Sequence, residues 1–144
     1  MSIRIFYDET DLRIAGWRKT VKIIEKVIGK ERKVLGDLNV IITNDQKLRK
    51  INVQFLEHDY NTDVITFNYN VGNVINGEIY ISIETVQKNA LNYNVGLRME
   101  LIRVIIHGVL HLVGYDDKTE EQKREMTVME DMWLKIYEER VNGF

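Results

Sequence analysis

Over residues 2–7 the side chains alternate, Ile3, Ile5 and Tyr7 against Ser2, Arg4 and Phe6, which predicts a β-strand. From Asp11 to about Gly29 the period changes. Leu12, Trp17, Val21, Ile24 and Ile28 form one helical stripe, and Gly29 suits the end of that helix. Residues 38–43 predict a buried strand, after which Asn44 or Thr43 can cap a helix that turns Leu48, Ile51 and Phe55 inward. Residues 63–69 and 77–83 are rich in β-branched and aromatic residues and predict two further strands, with 71–76 as a hairpin connection. Helices are expected at about 84–94, 97–113 and 119–140, the last opened by a capping box of Thr119 and Gln122. Four strands placed mostly early and five helices gathered late predict an α+β domain of mixed α/β layers, with a mixed sheet of about four strands.

Length and composition narrow the setting. A chain of 144 residues fits one domain over 1–144, long enough to bury roughly two-thirds of its unfolded surface. Cysteine is absent, which excludes disulfides and thiolate metal sites. No apolar run approaches the ~18 residues of a membrane span, and the N-terminus lacks the layout of a signal peptide, so a cytoplasmic location is expected. The net charge of −2 hides a split. Residues 1–50 hold 12 Lys/Arg against 7 Asp/Glu, whereas residues 51–144 hold 8 against 15. A basic end and an acidic end allow an anionic partner on one face without requiring it.

The chemistry concentrates in His107-Gly-Val-Leu-His111-Leu-Val-Gly114-Tyr-Asp-Asp117. On a helix the two histidines project from one face, one turn apart, where both rings can reach a single ion at about 2.0–2.1 Å. Gly114 then stops the helix and lets a third ligand enter from the loop behind it. The bland alternative is a pair of histidines satisfied at a core edge. Against it stand the apolar surroundings Val109, Leu110, Leu112 and Val113, which bury the helix and leave imidazoles there in need of partners. The spacing 107, 111, 117 with glycine at 114 is similar to the metzincin zinc signature. Position 108, however, is Gly where those proteases carry a catalytic Glu, and position 117 is Asp where they have a third His.

Two further segments complete a resemblance. Asn52-x-x-Phe55-x-x-x-Asp59-x-x-Thr62-Asp63-Val64-Ile65-Thr66-Phe67 and Gly77-Glu78-Ile79-x-Ile81-Ser82 precede the histidine run in order, and together they resemble the YbeY family of metal-dependent endoribonucleases. That resemblance implies a single-strand-specific endoribonuclease with a metzincin-like zinc helix, acting in maturation of the 16S ribosomal RNA 3′ end and in ribosome quality control. It implies one Zn²⁺ per chain, with RNA and ribosomal particles as partners of a monomer. The family's usual site places zinc on three histidines. Here His107 and His111 match, and Asp117 stands in the third place as a carboxylate ligand. A second departure is Leu56, where many members carry a basic residue thought to contact substrate. Either another cation such as His58 or Arg103 supplies that charge, or the contribution is missing here.

The general base has no clear candidate once Gly108 removes the usual Glu. Arg103 precedes His107 by one turn and faces the same side, with pairing to Glu100 as its plainer role. Asp116, beside the third ligand, is either a group that orients water or a turn residue bonding its own backbone. Arg18, Lys22 and Lys26, continued by Lys30, recur every four residues as a cationic stripe suited to RNA phosphates, or simply as the solvated face of an amphipathic helix. Two rivals follow from the same residues: a non-enzymatic ribosome-assembly RNA-binding protein whose metal is structural, and a metzincin-type metalloprotease.

Overall fold

The computed structural model describes residues 2–58 and 62–143, with side chains through 139. Asp59, Tyr60 and Asn61, the first of which belongs to the motif above, lie outside the described residues. In chain order the elements are β1 (Ser2–Tyr7), α1 (Trp17–Lys30), β2 (Val34–Thr43), α2 (Asp45–Leu56), β3 (Val64–Asn68), β4 (Val74–Ser82), α3 (Ile83–Tyr93), α4 (Leu97–Leu112) and α5 (Glu120–Gly143). The four strands form one mixed sheet in the order β1-β2-β4-β3. β1 and β4 run parallel to β2, and β3 closes the edge antiparallel to β4. This is the expected α+β architecture.

Strand alternation decides which face buries what. Ile75, Ile79 and Ile81 of β4 join Leu38, Val40 and Ile42 of β2 in a core with Ile23, Ile24, Val27 and Ile28 of α1 and the apolar residues of α4 and α5. Tyr80 points the other way, where it and Phe67 pack on Leu48, Ile51 and Ile65 beneath α2. α4 is therefore sandwiched between sheet and helices, with Ile102, Ile105, Ile106, Val109 and Leu110 wholly inaccessible. Each such side chain contributes about 1.5–3 kcal/mol of transfer free energy. The helix that carries the histidines is thus anchored along its length in the core.

Three boundaries and one burial differ from the pattern. α1 begins at Trp17 rather than Asp11, because Gly16 turns the chain with φ 71° and its carbonyl accepts the first helical N–H groups. Leu12 and Ile14 precede the helix in an irregular segment, tied by Leu12 N to Thr10 Oγ1 (3.2 Å) and Ile14 N to the Tyr7 hydroxyl (2.9 Å). β2 begins at Val34, four residues early. An extra residue is accommodated between Leu35 and Leu38, where Asp37 N donates to the Asn76 side chain at 2.8 Å instead of a ladder carbonyl. β4 begins at Val74, so the hairpin connection is shorter than 71–76. Phe55, expected inward, is 59 % exposed at the end of α2 and meets Phe67 edge-on at 5.7 Å. The stripe under α2 is Leu48, Ile51 and Asn52, and it runs out before the last turn. Asn44 caps α2 as expected, its side chain accepting from Lys47 N at 2.9 Å.

Candidate metal centre

The end of α4 sets the site. Tyr115 N bonds Leu110 O (2.9 Å) and Gly114 N bonds His111 O (3.1 Å), the paired closure of a Schellman motif, with Gly114 at φ 116°. Leu112 O, outside that pairing, accepts from Asn70 Nδ2 at 2.8 Å. Asn70 Oδ1 in turn accepts from Asn76 N at 2.8 Å. A chain of side-chain amides thus links the β2 irregularity to the tip of the histidine helix. Beyond it Tyr115 donates its hydroxyl to Glu31 Oε1 at 2.7 Å, anchoring the loop to the end of α1. Burial and that carboxylate push the Tyr115 phenol up to about 12. Asp116 Oδ1 accepts from Asp117 N at 2.9 Å, which is its turn role. The Thr119–Gln122 capping box is present, with both reciprocal bonds at 3.1 Å, and it starts α5 immediately after the loop.

This scaffolding brings three donor atoms together. His107 Nε2 lies 3.1 Å from His111 Nε2, and each lies 3.3 Å from Asp117 Oδ2. A triangle with such edges is one face of a tetrahedron whose centre stands about 2.0 Å from every corner, the bond length of Zn–N and Zn–O. Among the described residues these three form a group able to hold a metal ion. The side chains remain 22 %, 23 % and 38 % exposed, so the group stands at the protein surface rather than within the core. An open fourth position is the mark of a reactive centre rather than a closed structural one.

Glu130 of α5 was not foreseen. Its Oε2 lies 2.6 Å from His107 Nδ1, which donates to it and so turns the lone pair of Nε2 toward the shared point. Burial pushes the His107 imidazole down, but the bond and charge of Glu130, with Asp117 and Asp63 beyond, outweigh it and raise His107 above its ordinary value. Proton and metal ion therefore compete for the same nitrogen. A Glu130→Gln variant is expected to keep its fold and bind metal about 10–100-fold more weakly in a competition titration. Unchanged affinity would remove the carboxylate from the account.

Arg103 reaches the same cleft, a cavity of about 230 Å³ that also takes in Asp63, Glu100, His107, Asp117 and Glu130. Its guanidinium sits among carboxylates at 3.0 Å (Asp131), 3.2 Å (Glu130) and 3.8 Å (Glu100). The plainer role and the cleft-facing one coincide. Burial pushes Glu100 and Asp63 above the usual carboxylate range, opposed by Arg103 and His107 respectively. Arg18 and Lys22 lie on the solvent side of α1 and Lys26 is half-buried, opposite Thr20, Ile23, Ile24, Val27 and Ile28. Position 108 faces the sheet: a Cβ there would stand 2.9 Å from Ile79 Cγ2. Glycine at 108 is thus a packing requirement of α4 on β4. One sequence signal for Glu130 existed, since it falls in the buried stripe Met126, Trp133, Leu134 and Tyr137 of α5, where a lone carboxylate needs a partner.

The family model described as Endoribonuclease YbeY matches residues 6–138. A protein named Endoribonuclease YbeY from Chlorobaculum tepidum is 41 % identical over 134 residues, 93 % of this chain and 96 % of its own. Another of that name from Flavobacterium psychrophilum is 42 % identical over 137 residues, 95 % and 98 % of the two chains. The solution structure of TM1509 from Thermotoga maritima superposes with a TM-score of 0.65 at 30 % identity, covering 98 % of this chain and 93 % of that one.

Proposed function

This chain belongs to the YbeY family of endoribonucleases, and from that premise we propose that it is a zinc-dependent enzyme cutting single-stranded RNA. The observation that carries the reading is the triangle of His107 Nε2, His111 Nε2 and Asp117 Oδ2, standing at the protein surface. A divalent ion held there supplies Lewis acidity toward water and toward a phosphodiester oxygen. The chain's own residues do the rest. Glu130 fixes the His107 ring and its tautomer. Arg103 keeps Glu130 in place and presents positive charge at the cleft wall. Asp116 holds the backbone that delivers Asp117.

Residues 1–144 act as one domain in this reading. The substrate is ribosomal RNA, within ribosomal particles, at the 16S 3′ end during maturation and quality control, and the enzyme works as a cytoplasmic monomer. No helix among the described residues is long and apolar enough to cross a membrane. Arg18, Lys22 and Lys26 contribute phosphate contacts, which makes binding weaken as salt rises. A closed structural metal is disfavoured by the surface position of the three side chains, and a protease by the burial of position 108 against Ile79. The test is cleavage of an unstructured RNA by wild type and by a His111→Ala variant.

A further inference from the structure

A second cavity of about 440 Å³ adjoins the metal cleft, and Glu100 and Arg103 form the wall between them. It lies along α4 toward the helix start. Met99, Arg103 and His107 succeed one another at intervals of four residues on one face of α4, so the cavity begins about 6 Å from the histidine and extends another turn. Its floor is apolar: Val95 (45 % exposed), half-buried Met99, and Leu134 from α5. Its rim carries both signs, with Lys135, Asp131 and Glu138 exposed and Glu100 and Arg103 on the shared wall, so that it offers donors and acceptors to a base edge rather than a site for phosphate.

We propose that this cavity is the subsite for an unpaired nucleobase of the RNA strand, next to the phosphodiester held in the metal cleft. The proposal rests on the RNA-cleaving reading of that cleft. The volume lies in the range of small-ligand sites, about 300–1,000 Å³. An apolar floor with a methionine suits the flat face of a base, because the thioether is polarisable and makes favourable contacts with aromatic rings. Arg103 offers a planar guanidinium on the shared wall, already oriented by Asp131 at 3.0 Å and Glu130 at 3.2 Å, and such planes stack on bases. The polar rim can bond base edges, which only an unpaired base leaves free. A base tied into a duplex cannot enter, so the cavity also supplies a physical origin for single-strand preference.

Filling the cavity tests this. Met99→Trp replaces a floor residue, and Val95→Trp does so from the exposed segment before α4, where folding is least at risk. Both are compared with wild type on a short single-stranded RNA with one cleavage site, intact or with one base removed at each flanking position in turn. In wild type, base removal at one flanking position is expected to raise KM about tenfold and leave kcat within about twofold. Each tryptophan variant is expected to show that same rise on intact RNA and no further rise on the abasic strand. Wild-type KM in both variants, or an abasic penalty undiminished in them, overturns the subsite while leaving the nuclease reading intact. Failure of wild type to cut any strand overturns both.

Discussion

A His111→Ala variant is expected to lose RNA cleavage by at least about 10³-fold and to lose stoichiometric metal, while keeping its fold. The three donor atoms stand 3.1–3.3 Å apart, so removing one leaves a two-point site without the geometry to retain a divalent ion. A metal ion contributes several kcal/mol of transition-state charge stabilisation in phosphoryl chemistry. At 1.36 kcal/mol per decade, about 4 kcal/mol corresponds to about three orders of magnitude. The fold should survive because the His111 side chain is 23 % exposed and the apolar core lies on the other faces of α4. Circular dichroism, melting and elemental analysis accompany the cleavage assay. Loss of fold and RNA binding together with metal would instead favour a structural ion, and undiminished cleavage would end the proposal.

The second large effect concerns position 108. Gly108→Glu would bring the helix closer to the protease signature, and it is expected to destroy the fold rather than create a peptidase. A Cβ at 108 meets Ile79 at 2.9 Å (Cγ2) and 3.0 Å (Cδ1), and Ile79 is fully buried in β4. Overpacking a filled core costs about 1–3 kcal/mol, and burying a carboxylate there without a partner costs several more. Against a total stability of about 5–15 kcal/mol, that loss lowers the melting temperature by more than about 10 °C or prevents folding. Gly108→Ala is milder, since gaining about 1 kcal/mol of helix propensity offsets part of the clash. Wild-type melting of Gly108→Glu, with new peptide cleavage, would contradict the packing argument.

What the sequence made legible follows from where its signals are local. The i, i+4 histidines, the Gly114 stop and the acidic pair behind it are neighbours along the chain, so their convergence could be expected before any coordinates. The four strands and five helices were legible for the same reason, through alternation and helical stripes. The start of α1 was not, because Asp11 resembles a helix cap, whereas the turn is made by Gly16 with no capping side chain. The added length of β2 depends on Asn76, about forty residues away, supplying the bond that the extra residue forfeits. Phe55 obeyed the helical period but stands in the last turn of α2, 59 % exposed and meeting Phe67 of β3 only edge-on. Glu130 reaches the cleft only through the packing of α5 on α4, which no spacing within one helix reveals.

Anomalous diffraction at the zinc absorption edge, on crystals of the metal-loaded protein, tests the central claim most directly. The account predicts one peak per chain about 2.0 Å from His107 Nε2, His111 Nε2 and Asp117 Oδ2, with a solvent molecule completing the tetrahedron. A peak elsewhere, or one enclosed by four protein ligands, would contradict it.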